Sequence, residues 1–127
     1  MINVTIEQIL KVNPILGKLV SRSYMGRIAF TLARLAREVT QEVALFDEER
    51  VKIVKKYADK DENGETKVSE NDTVHITDEN LVLCNQELNE ILKTEIVLTA
   101  NKVPIDWFEN IELTIEDAIA LEPFIDN

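Results

Sequence analysis

A mainly α fold with a small β element is predicted for this chain. Glycine and proline are scarce, at 3 of each in 127 residues, so turns are few and regular elements are long. Cap signatures open several segments, among them those at Thr5, Thr77 and Thr114, where a hydroxyl can accept from the first free N–H groups of a helix. From Ile28 to Tyr57 apolar side chains recur at spacings of three and four, broken only where Arg50 takes a stripe position, the period of one helical face. The expected architecture is one domain over residues 1–127, with a long helix in an antiparallel helical hairpin, a short two-stranded β element and a short C-terminal helix.

Residues 1–20 are expected to hold short N-terminal helices. Thr5-Ile6-Glu7-Gln8 is a capping box, and Ile6, Ile9 and Leu10 give its helix an apolar face. Asn13-Pro14 reads as a second cap with proline at the first helical position, so the segment is two short helices or one kinked one. Residues 21–57 form the long helix, interrupted by no proline and by Gly26 alone. Its stripe runs through Ile28, Leu32, Leu35, Val39, Val43, Phe46, Ile53 and Tyr57, with Arg50 at one stripe position. A break at Phe46-Asp47, where Asp47 would cap a second helix, is the alternative.

Residues 58–76 are an acidic loop turning at Asn63-Gly64, and Val68 with Val74 and Ile76 fits a small hairpin. Residues 77–93 form the second long helix. Thr77 caps it, Asp78 and Glu79 occupy its first turn, and Leu81, Cys84, Leu88, Ile91 and Leu92 share a face. In residues 94–127, Ile96-Val97-Leu98 is a strand, and Ile111 with Leu113 reads as a second strand pairing with it. Leu113 and Ala118 staple the last helix, which Pro123 ends.

The net charge of -10 is unevenly spread. Six basic side chains against Glu7 and Glu38 give residues 1–40 a charge of +4, leaving -14 for the remainder. Such a chain is well solvated, and its basic end suits a charged partner. No apolar run approaches the roughly 20 residues that cross a bilayer, and the N-terminus lacks the pattern of a secretory signal. A single cysteine, Cys84, excludes an intrachain disulfide and a cysteine-rich zinc site and suits a reducing compartment.

Asp59 to Glu70, DKDENGETKVSE, matches a calcium-loop pattern position by position. Its ligands would be Asp59, Asp61, Asn63, Glu65 through its carbonyl, and Glu70. Against an ion stands the sequence NDTVHIT after Glu70, which offers turn formers and β-branched residues where an exiting helix should hold the last carboxylate. Thr66 also stands where such loops place an aliphatic side chain, and no second copy of the loop exists to pair with it. The preferred reading is a solvated, acid-rich reversing loop, and no cofactor is expected.

No catalytic constellation stands out. His75 is the sole histidine, flanked by β-branched residues as in a strand, and Cys84 lies on an apolar helix face as a small buried hydrophobe. The candidate partner surface is the stripe Ile28, Leu32, Leu35 and Val39, whose other fate is the core, together with the basic side chains Arg27, Arg34 and Arg37. Those arginines could track a phosphate backbone, but the acidic remainder would repel nucleic acid, so they are expected to meet the chain's own acids or a partner's. A protein partner or self-association into a homo-oligomer is expected, with no membrane.

The order of Ser21-Arg22, the long helix, the loop KKYADKDENGETKV and the Leu88-Asn89-Glu90 helix resembles that of small bacteriophage proteins of unknown function, of the kind found in siphophages of Gram-positive hosts. The resemblance covers roughly residues 20–98 and departs around Pro104 to Phe108. It implies a phage or prophage accessory protein in the bacterial host cytosol or the virion. The expected function is non-enzymatic: a virion structural or assembly component, or else an inhibitor of a host factor, including one that mimics nucleic acid with its acids.

Overall fold

The structure, a computed structural model, describes residues 1–66 and 74–126. In chain order the elements are β1 (Ile2–Thr5), α1 (Ile6–Val20), α2 (Gly26–Tyr57), α3 (Asp78–Leu92), β2 (Glu95–Leu98), β3 (Val103–Pro104), a 3-10 turn (Ile105–Phe108), α4 (Ile115–Leu121), a second 3-10 turn (Glu122–Phe124) and β4 (Ile125–Asp126). They gather into two compact units. A terminal unit contains Met1–Ala44 and the chain from Lys93 onward, and a hairpin unit contains Leu45–Leu92. The mainly helical class, the small antiparallel sheet and the short C-terminal helix are as the sequence predicts.

At the start of the chain, Ile2 and Val4 alternate with exposed Asn3, so one face of β1 is apolar and inward. The strand pairs antiparallel with β2, Ile2 opposite Leu98 and Thr5 opposite Glu95. The expected pairing of Ile96-Val97-Leu98 with Ile111 and Leu113 is therefore replaced. Residues 109–114 are irregular, and Ile111 and Leu113 lean half-buried on the core. β1 is four residues long, too short for its two-residue period to mark a strand in the sequence.

Thr5 ends β1 and starts α1. Its hydroxyl accepts from Gln8 N–H at 3.3 Å, and the Gln8 side chain accepts from Thr5 N–H at 2.9 Å, closing the capping box. Replacing Thr5 by alanine should lower stability by about 1 kcal/mol, read as a lower urea midpoint with an unchanged slope. The short N-terminal helices resolve into one: α1 runs through Pro14 without a break. Pro14 lies on the exposed side, where its ring forgoes one backbone hydrogen bond. Ile6, Ile9, Val12, Ile15, Leu16 and Leu19 are buried on the other face and hold the helix together across that gap.

α2 is one continuous helix of 32 residues, about 48 Å at 1.5 Å per residue. It begins at Gly26 instead of Ser21 and passes Asp47 unbroken. Asp47 instead pairs with Arg50 one turn on, at 3.6 Å. Leu32, Leu35 and Val39 join Val12, Leu16 and Leu19 of α1, Ile2, Val4 and Leu98 of the sheet, and Leu121 and Phe124 in one core. Each such side chain contributes roughly 1.5–3 kcal/mol by leaving water.

β3 and β4 pair in parallel, Val103 opposite Ile125, which fastens the last described residues to the segment after β2. Thr114 caps α4 by accepting from Asp117 N–H at 3.1 Å, and α4 packs on α1.

In the hairpin unit, α2 and α3 form the expected helical hairpin. Glu87 accepts from Lys56 Nζ at 2.8 Å and from the Tyr57 hydroxyl at 2.7 Å, while the Asn80 amide donates to Tyr57 O at 3.3 Å. Thr77 caps α3 through Asn80 N–H. Ile53, Ala58 and Cys84 are buried there. The proposed hairpin of Val68 with Val74 and Ile76 lies partly outside the described residues.

Candidate functional site

The stripe Ile28, Leu32, Leu35 and Val39 is not a contact face. Leu32, Leu35 and Val39 are at most 3% exposed and Ile28 packs half-buried against them. The periodicity correctly marks the apolar side of α2, but α1, the sheet and the C-terminal elements supply enough surface to cover it.

What the core excludes is the opposite side of α2. Arg27, Phe30, Arg34 and Arg37 follow one another at spacings of three and four, all exposed. Among the described residues none of the three arginines forms an ion pair. The expectation that they meet the chain's own acids therefore finds no pairing there.

Arg34 and Arg37 line a polar cleft of about 390 Å³ with Thr31, Glu38, Thr99, Ala100 and Asn101. The Glu38 carboxylate is committed to the turn after β2. It accepts from Thr99 N–H at 3.0 Å, from Ala100 N–H at 2.8 Å and from the Thr99 hydroxyl. Partial burial works to raise the Glu38 pKa, but these hydrogen bonds outweigh it, and the group titrates below its ordinary value.

A depressed pKa in the folded state means stability that is full above the ordinary glutamate value and is lost as pH falls through the lower, folded value. Glu38→Gln should lower stability by about 1–2 kcal/mol at neutral pH. It should also remove this part of the acid dependence, checked by urea midpoints measured from pH 7 down to 3.

A second concavity lies in the same unit. Ile105 and Phe108 of the first 3-10 turn, Leu113, Ile115, Ala118, Ile119 and Leu121 of α4 and its approach, Glu122, and Ile125 of β4 line a groove of about 400 Å³. Ile115 is 81% exposed and Ile119 63%. Asp106, Glu109, Glu112, Glu116, Asp117, Glu122 and Asp126 belong to the same stretch, and residues 103–126 contain no lysine, arginine or histidine. The result is an apolar trough on an all-acidic segment.

Sequence reasoning missed this groove because its walls come from three elements that the pattern treats as separate. The readable signal was the run of seven acids without a base, combined with Ile115 and Ile119 one turn apart on a helix whose inward side is Leu121.

In the acidic loop, Asp61 Oδ1 accepts from Asn63 and Glu65 N–H at 2.9 and 3.0 Å, which folds the Asn63-Gly64 turn, and Gly64 takes a φ of 78°. His75 Nδ1 lies 2.7 Å from Asp59 Oδ2. Glu70, the last ligand of the calcium pattern, lies outside the described residues. Asp59, Asp61, Asn63 and Glu65 share the turn, but Asp59 and Asp61 are engaged by these protein hydrogen bonds. Cys84 is buried on α3. Among the described residues no helix is long and apolar enough to cross a membrane.

These features define a mainly helical protein with an apolar groove on an acid-rich segment and a separate arginine-rich helix face. Comparison with protein families, with curated proteins and with solved structures finds no match for the chain.

Proposed function

We propose that the chain is a non-enzymatic docking protein whose groove takes the apolar side of a basic, amphipathic segment. The observation that carries this reading is the exposure of Ile115 and Ile119 in an apolar groove with Glu122 in its lining, built on a segment whose charged residues are all acidic. At such exposure each forgoes most of the roughly 1.5–3 kcal/mol that burial would contribute. A contiguous apolar patch rimmed by polar groups is the surface pattern of a partner site, and an amphipathic helix laid in a trough is a recurrent way to fill one. The acids of this segment favour a partner with cationic flanks and disfavour an acidic one.

The test follows the methyl resonances of Ile105, Ile115, Ile119 and Ile125 during titration with a designed helix that carries leucines on one face and arginines beside them. These methyls should shift together and saturate, whereas a helix with glutamates in place of the arginines should leave them unmoved. A titration with the basic helix that moves none of the four overturns the reading.

The resemblance of residues 20–98 to small phage proteins supports placing this docking role in phage assembly. There the chain should co-purify with capsid or tail proteins. An anti-host role would instead give a stoichiometric complex with a host factor and no place in the particle.

A further inference from the structure

We infer that the groove's occupant is a second copy of this chain, which seats Phe30 of its α2 in the apolar trough and sets Arg27, Arg34 and Arg37 against the acids of the segment that builds it. This rests on the docking reading of the groove. The groove needs an apolar side chain flanked by cations, and the chain itself displays one. Phe30 is 72% exposed, with Arg27 three residues before it and Arg34 four after it.

Arg27, Phe30, Arg34 and Arg37 fall on one side of α2 because their spacing follows the helical period. That side stays outside because Leu32, Leu35 and Val39 take the other into the core. Three cations without an ion pair among the described residues thus border one exposed aromatic. The segment that builds the groove holds seven acids and no base, with Glu122 in the lining beside the exposed isoleucines.

Each face completes what the other lacks. A phosphate backbone would satisfy the arginines, but it would leave the exposed isoleucines in water. A contact of one face with a different face either closes by reciprocal exchange between two copies or continues from copy to copy.

Two double variants test this on the full chain. Arg34→Glu with Arg37→Glu reverses the helix face, and Glu116→Lys with Glu122→Lys reverses the groove. All four positions are exposed, and circular dichroism should show both variants folded. By sedimentation, the wild type should gain mass with concentration and return to monomer in 1 M salt, where charges are screened beyond about 3 Å.

Each double variant alone should associate at least tenfold more weakly than the wild type. An equimolar mixture of the two should associate again, because an acidic helix face then meets a basic groove. A wild type that stays monomeric at millimolar concentration overturns the inference, as does a mixture that remains monomeric. Binding of duplex DNA or RNA through the arginines without self-association overturns it as well. Should the wild type be monomeric while the basic helix still shifts the isoleucine methyls, the groove reading stands and only the second copy is lost. If the methyls too are unmoved, both fall.

Discussion

Leu35→Glu should unfold the terminal unit, whereas Arg34→Glu, one residue earlier, should leave its stability within about 0.5 kcal/mol of the wild type. The contrast follows from the helical period. Leu35 is 1% exposed among side chains of α1, the sheet and the C-terminal elements, and Arg34 is on the exposed side of the same helix. Glutamate at 35 loses the packing of the leucine and places a carboxylate in a core with no buried polar or charged side chain among the described residues. Removing the leucine contributes about 2–5 kcal/mol and an unpaired buried charge adds to it, so the total is at least about 4 kcal/mol. That is a large share of the 5–15 kcal/mol that holds an ordinary domain together.

Trp107, the chain's single tryptophan, is half-buried against this core and reports the loss directly. Its emission should shift to the red and its near-ultraviolet dichroism vanish in Leu35→Glu, with both unchanged in Arg34→Glu. A folded Leu35→Glu that had lost only self-association would return the stripe to the role of contact face, which its burial denies.

How much of this was legible in the sequence depended on the range of the forces involved. Caps are local: Thr5, Thr77 and Thr114 each reach an N–H three residues on, so type and spacing suffice to place them. The continuity of α2 was legible for the same reason, since no residue between Gly26 and Tyr57 removes a backbone donor.

Pairings between distant segments were not legible. Ile2 finds Leu98 across almost the whole chain, and the β-branched look of Ile96-Val97-Leu98 indicates a strand without naming its neighbour. Ile111 and Leu113 show the other side of this. Their composition suits a strand, but they serve as apolar cover for the core and make no ladder. The fate of the Ile28 to Val39 stripe turned on the same question, because a helical period shows which side is apolar and leaves open what covers it. The candidate site was legible only as composition, an acidic C-terminal segment with too many isoleucines. Its concavity arises where a 3-10 turn, α4 and β4 meet.

The second large effect is expected at the far end of the chain, where Phe124→Ala should lower stability by about 3–5 kcal/mol. Phe124 is 0% exposed and belongs to the core shared by α1, α2 and the sheet, although it stands in a three-residue 3-10 turn. Such a turn has little hold of its own. Burial of this ring, with the parallel pairing of Val103 and Ile125 beside it, fixes where α4 and β4 lie. Truncation to alanine leaves a void next to β1, which that turn contacts, and the surrounding side chains can fill it only partly.

Leu121 and Ile125 flank Phe124 in sequence and line the groove, so the same substitution should loosen the docking site before it unfolds the unit. The expected record is a urea midpoint lowered in proportion. At low urea, the isoleucine methyls should respond to the basic helix with at least tenfold weaker affinity. Stability that fell while groove affinity held would show the trough to be shaped by α4 alone, with Phe124 serving only the core.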